Sequence, residues 1–253
     1  MDCSHTVKLQ NLFTFPGIIM FLMFIQANVI AQEINDKVVS DYTDLFKKAI
    51  GLDENLINGC KYMNQFNNVK GHEFLGDNEF MSGSLVLNNK TYTNVSIKYD
   101  ILNQDIILSY KNSLQGINHI VLQKSLISEF ELDGKHFERL YFPETDTQFF
   151  QVISDKSIKC IYFWQKTLEI NPQSVQNYFE YSDQNKKTYL VINNDLKHYS
   201  GKHSFIKLFP EDLHKPIKAY ISKQKLNIKD ASEVSIVKLI EFCEGLKSEE
   251  INL

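Results

Sequence analysis

The sequence predicts an α+β fold that is mainly antiparallel β, with an N-terminal helix and a three-helix C-terminal segment. Three observations lead there. Residues 80–200 carry short runs of alternating apolar and polar residues, the period of half-buried strands. Asn, Asp and Gly punctuate those runs, as tight turns require. After residue 200 the apolar period changes from two to that of a helix.

The chain has 253 residues, a formal net charge of −4, 43% hydrophobic content and 12% aromatic content. That is ordinary globular composition with ample material for a core. Ten glycines and five prolines exclude collagen-like or low-complexity chains. No basic stripe of the kind nucleic acid requires appears outside short lysine-bearing stretches near the C-terminus, which read as solvated helix faces.

Residues 1–31 read as a signal peptide. Lys8 precedes an apolar run whose centre, Gly17 to Ile25, is short of the about 20 residues that span a bilayer. The run closes on Val29-Ile30-Ala31, which predicts cleavage after Ala31, Gln32 as the new N-terminus, and no transmembrane segment after cleavage. Residues 32–79 then hold a helix, Glu33 to Ile50, with Val38, Tyr42, Leu45, Phe46 and Ala49 at helical spacing, followed by a turn-rich connector.

Residues 80–200 read as an antiparallel meander, rolled into a barrel or folded as a sandwich. Its expected turns are Asn88-Asn89, Asn103-Gln104, Asp133-Gly134, Asp155-Lys156, Asp183-Gln184 and Asn193-Asn194. The run "SIKCIYFWQKTLEI" is expected as one strand. Residues 201–253 hold three helices: "KHSFIKLF", "PEDLHKPIKAYISKQKL" with Pro216 in its first turn or kinking it, and "DASEVSIVKLIEFCEGL" with Asp230 as N-cap and Glu233 closing a capping box. With no long linker visible, residues 32–253 are expected to form one compact unit.

The most regular stretch is "YTNVSIKYDILNQDIILSY". Val95, Ile97, Tyr99 and Ile101 share one face, while Asn94, Ser96, Lys98 and Asp100 share the other. Asp100 and Asp105 flank the turn. Paired carboxylates can serve acid–base chemistry or hold a hard cation. Here no Gly-rich calcium loop accompanies them, and aspartates beside a turn characteristically accept backbone hydrogen bonds.

Three cysteines follow the predicted cleavage site: Cys60, Cys160 and Cys243. The odd number and wide spacing do not make a disulfide scaffold. Export permits one bridge, with Cys60 to Cys160 a candidate, and Cys243 falls with Ile236, Leu239 and Ile240 on a helical core face. HExxH, GxSxG, GxGxxG, P-loop and CxxC patterns are all missing, so no metal and no cofactor is expected. His72-Glu73 in "KGHEF" and the scattered other histidines lack ligand spacing.

The stretches "KGHEFLGDNEFMSGSLVLNNKTYTNVSIKYDILNQDIIL", "ISEFELDGKHFERL" and "FIKLFPEDLHKPIKAYISKQKLNI" resemble a family of uncharacterised exported proteins of Gram-negative bacteria. In that resemblance Gly71-His72, Gly83 and Tyr99-Asp100 match the family's recurring positions, and the last helix departs from it near Cys243. The resemblance implies a periplasmic or cell-surface location and carries over no catalytic role. Together these features lead to a non-enzymatic envelope protein that binds a partner protein or a small apolar ligand, with His72, Tyr99 and Asp100 as candidate contacts. The alternative is an envelope hydrolase using carboxylate and histidine side chains.

Overall fold

In the computed structural model the described residues are 53–64, 69–112, 114–173 and 179–250, with backbone alone at 247–250. The chain divides into two units after Asp53, and the second begins at Glu54. The helix expected over Glu33 to Ile50 and the signal peptide lie outside the described residues.

Among the described residues, the second unit is built from thirteen strands and three helices. The strands are β1 (Gly59–Lys61), β2 (Met81–Leu87), β3 (Lys90–Asp100), β4 (Asp105–Lys111), β5 (Ile117–Leu122), β6 (Ile127–Leu132) and β7 (Lys135–Phe142). They continue with β8 (Asp146–Asp155), β9 (Lys159–Gln165), β10 (Leu168–Ile170), β11 (Phe179–Tyr181), β12 (Asn185–Ile192) and β13 (Asp195–Tyr199). The helices are α1 (Lys202–Ile206), α2 (Glu211–Lys223) and α3 (Glu233–Glu250). All pairings between named strands are antiparallel, and eleven strands form one sheet in the order β1-β5-β4-β3-β2-β6-β7-β8-β9-β12-β13.

Turn chemistry places the hairpins. Asn88-Asn89, Asp133-Gly134 and Asn193-Asn194 each put both residues at positive φ, the two-residue loop whose twist suits a hairpin. The order is nevertheless not a simple meander, because β6 pairs with β2 rather than with β5. In a flat sheet β5 and β6 would stand four spacings apart, about 19 Å. Only the short 3-10 turn Lys124–Leu126 and its flanks join Leu122 to Ile127, a reach of about 17 Å even when fully extended. The sheet therefore curls. It does not close: β1 and β13 remain its edges, so the expected closed barrel is not formed. Gly83 permits the β2–β6 contact, since a Cβ there would stand 2.3 Å from the Glu131 carbonyl oxygen.

The curl encloses an aromatic core. Tyr99 lies edge-on to Phe130, Phe137 and Phe149, while Phe130 and Phe137 stack with centroids 4.6 Å apart. Leu85, Ile97, Ile106 and Leu132 fill in around them. A second core joins the same side of β9, β12 and β13 to the helices through Cys160, Tyr162, Leu190 and Tyr199 against Phe205, Ile217, Ile221, Ile236, Leu239 and Cys243. Strand alternation sends Phe150, Ile161 and Tyr189 to the opposite face, where they form a third apolar cluster with Phe142 and Leu196. Glu244 fastens α3 to the β8–β9 loop by accepting from Ser157 Oγ and the Ile158 amide, each at 2.8 Å.

Several expectations need correction. Strand β1 forms inside the expected connector; its three residues are all exposed, so no apolar alternation marked it, and backbone pairing with β5 holds it. The run expected as one strand breaks at Lys166, whose amide leaves the sheet to bond Ile101 O. Its remainder, β10, pairs with β11 in a separate two-stranded sheet. Helix α1 stops at Ile206 in tighter turns, Leu208 N to Phe205 O and Phe209 N to Ile206 O, ahead of Pro210. Pro216 sits beyond the first turn of α2, and the helix continues through it. The cap of α3 is Ser232, which receives the Ser235 amide on its hydroxyl and the Ile236 amide on its carbonyl; Asp230 instead accepts from Asn227. Cys60, Cys160 and Cys243 form no disulfide with one another, because Cys60 is exposed on an edge strand while the other two are buried in the helix-covered core.

This packing makes two predictions. Phe137→Ala removes a ring from the centre of the first core and is expected to cost about 3–5 kcal/mol in urea unfolding. A thiol reagent applied to native protein is expected to label Cys60 and leave Cys160, whose thiol burial pushes up to about 12, and Cys243 unmodified until denaturation, as peptide mass mapping will show.

Candidate functional site

The tip of the β3–β4 hairpin is half-buried, with Ile101 and Gln104 buried, Leu102 partly covered and Asn103 exposed, and its covered backbone N–H groups find partners within the protein. Asp100, 3% exposed, supplies them. Its Oδ1 accepts the amides of Leu102 and Asn103, both at 2.9 Å, and its Oδ2 accepts Asn103 Nδ2 at 2.8 Å. Gln104, at positive φ, donates its amide nitrogen to the Ile101 and Trp164 carbonyls at 2.9 Å each, and its oxygen receives the Tyr99 hydroxyl. The carboxylate of Asp100 thus shapes the hairpin, as expected. Tyr99 faces the aromatic core rather than any cleft.

A strap, residues 70–75, crosses this tip. On one side it pairs with β3 and the turn, through Leu75 N to Tyr99 O and Ile101 N to Glu73 O. On the other it pairs with β11, through Lys70 N to Phe179 O and Tyr181 N to Lys70 O. Gly71, with φ of 88°, lets the strap turn between the two. Lys166 Nζ holds it down by donating to His72 O at 2.7 Å.

This arrangement buries Glu73 to 6% exposure and sets it between two tyrosines. Tyr62, beyond β1, donates its hydroxyl to Glu73 Oε1 at 2.5 Å. Tyr181, at the end of β11, lines the same two clefts as Glu73; burial, then the Glu73 and Asp100 charges, push its phenol up to about 12. Burial and the same carboxylate raise Tyr62 well above the phenol range. Both hydroxyls therefore remain protonated donors at neutral pH. Burial and the Lys166 charge lower His72, whose Nδ1 accepts the Phe74 amide at 3.2 Å. Burial also lowers Lys98 and Lys166, against the opposing pull of Glu73.

Tyr62, Glu73 and Tyr181 form the wall between two clefts. One, about 510 Å³, opens toward Asp100, Asn103 and Asp105 and is bounded by Cys60. The other, about 220 Å³, contains His72, Lys98 and His119. In it, Lys98 donates to Asn78 O at 3.0 Å and Asn78 Oδ1 at 2.7 Å, and lies between the Phe74 and Phe80 rings. His119 stacks on Phe80 at 4.6 Å, and its buried Nδ1 has no hydrogen-bond partner. His72 and Asp100 thus come to the same end of the sheet but line different clefts. The fold adds Tyr62, Lys98, His119, Lys166 and Tyr181, which carried no sequence signal as a set because they come from five separate segments.

Among the described residues no three His, Cys, Asp or Glu side chains converge as a metal site requires, and no helix is long and apolar enough to cross a membrane. The class that fold and site define is an open, curled antiparallel sheet with a helical cover and a polar double cleft at one end. Comparison with protein-family models, curated proteins and solved structures finds no match for this chain.

Asp105 borders the larger cleft, and burial raises its carboxyl above the ordinary 3.8, with Lys124 opposing. A carboxyl so shifted binds its proton more tightly folded than unfolded, so ionisation weakens folding fully above the folded pKa and not at all below the unfolded one. Asp105→Asn is therefore expected to raise the thermal midpoint at pH 7. That gain should shrink as pH falls through the carboxylate range; a gain independent of pH would remove ionisation as its cause.

Proposed function

We propose that this protein is an exported envelope protein whose double cleft binds a small polar ligand. The observation that carries the reading is the buried Glu73 carboxylate, which accepts from Tyr62 and stands with Tyr181 at the junction of two clefts. A buried charge is retained at a cost in desolvation, and here it is presented at a cavity wall. The cleft sizes suit a small molecule. Their lining mixes charged groups, Glu73, Asp100, Asp105 and Lys98, with apolar side chains such as Met63, Ile107 and Phe80, and the charged groups favour a polar ligand over the apolar one expected from composition.

Binding is favoured over hydrolysis by the state of the carboxylates. A general acid or base needs an oxygen aimed at a substrate proton. Both Asp100 oxygens are occupied by the turn, and His72 directs Nδ1 at a backbone amide. The export part of the reading rests on the apolar N-terminal run ending at Ala31 and on the resemblance to exported proteins.

Protein recovered from the envelope of its host should begin at Gln32 and show a native mass above its denatured mass by one small molecule. Glu73→Gln should reduce that excess. A wild-type native mass equal to the bare chain would overturn the cleft reading, and recovery of the uncleaved chain from the cytoplasm would overturn export.

A further inference from the structure

We infer that the ligand is dipolar, an amine and a carboxylate within one small molecule, with its ammonium end in the Asp105 cleft and its carboxylate end beside Lys98 and His119. This rests on the proposed cleft binding and adds the chemical class.

The two clefts share a wall but differ in charge. The larger has the carboxylates of Glu73, Asp100 and Asp105 in its lining, against Lys61 in the lining and Lys124 acting on Asp105 from outside it. Tyr62 and Tyr181 add ring faces, a setting that suits an ammonium group by charge and by cation–π attraction. Asp100 already accepts three hydrogen bonds from the turn, which makes Asp105 the freer contact. The smaller cleft contains Lys98, a cation only 9% exposed whose nitrogen is held by neutral Asn78 atoms; among the described residues no carboxylate is within ion-pair distance of it, and Glu73, which lines this cleft too, and Glu79 act on it from further off. Buried cations normally have an anionic partner. Beside it, His119 lines the cleft, and its enclosed Nδ1 has no partner, an unusual state for a buried polar atom. A carboxylate in the cleft would face the Lys98 charge and lie against the His119 ring. Lys98 on β3 and Asp105 on β4 stand two pairs apart in the register of these neighbouring strands, about 7 Å along them, so one molecule of about dipeptide length that passes the shared Tyr62, Glu73 and Tyr181 lining meets both.

The test uses glycylglycine, N-acetylglycylglycine, which lacks the ammonium, and glycylglycinamide, which lacks the carboxylate. Calorimetric titration of the full mature chain should show glycylglycine binding at least about ten-fold more tightly than either blocked form, the range of one lost charged hydrogen bond. Asp105→Asn should abolish the preference over the acetylated form alone. Lys98→Met, or His119→Gln should Lys98→Met fail to fold, should abolish the preference over the amide alone. Equal binding of all three peptides, variants that weaken all three alike, or no binding of glycylglycine would overturn the inference. If the molecule carried by envelope-purified protein lacks one of the two groups, the dipolar class fails while the cleft reading stands. If no peptide binds and no molecule is carried, both fail.

Discussion

The structure depends on how one half-buried hairpin tip satisfies its polar groups. Where such a turn is covered, backbone N–H and C=O groups lose water, and each unmet group costs about 1–3 kcal/mol. Asp100 and Gln104 meet that need from within the turn, and Gln104 reaches on to Trp164 O. That single contact ties the hairpin to the far end of β9 and holds the curl of the sheet. The same tip then offers Ile101 N to the strap and Ile101 O to Lys166 N. Take Asp100 or Gln104 away and the strap, the β9–β10 break and the wall of both clefts lose a common anchor.

Aromatic side chains explain why the clefts are polar. Tyr99, Phe130, Phe137 and Phe149 pack edge to face in one core, and Tyr199, Phe205 and Phe209 continue the pattern under the helices. Composition alone suggested rings available for an apolar ligand. Their placement shows most of them consumed in holding a curled sheet that no barrel closure stabilises. What remains at the open end is a set of charged and hydroxylated side chains, supported by neighbours whose positions the hydrogen bonds fix.

Much of the β-structure was legible because its information is local. Asn88-Asn89, Asp133-Gly134 and Asn193-Asn194 encode their hairpins through tolerance of positive φ, and Val95, Ile97, Tyr99 and Ile101 encode the buried face of β3 by alternation. The core face of α3 was legible from the spacing of Ile236, Leu239, Ile240 and Cys243. The pairing of β2 with β6 was not, since it depends on the shortness of one connection against the width of four strands. Strand β1 has no buried residue and hence no pattern. Of the site, His72 and Asp100 stood out as chemistry-bearing residues. Tyr62 and Tyr181 did not, because nothing local to either marks a residue that meets Glu73 from a distant strand.

The route of the chain gives the Glu73 wall a place in folding. Hairpins such as β2–β3 and β12–β13 close over a few residues, whereas the wall joins Tyr62 to Glu73 and Glu73 to Tyr181, the last a closure over more than a hundred positions. Long closures form late, after local contacts have shortened the effective loops. The clefts thus exist only once Tyr181 has emerged and β11 has met the strap. A molecule that settles there adds its binding free energy to the finished state alone, so occupancy would act as a proofreader, holding complete copies together while incomplete ones stay open to proteolysis.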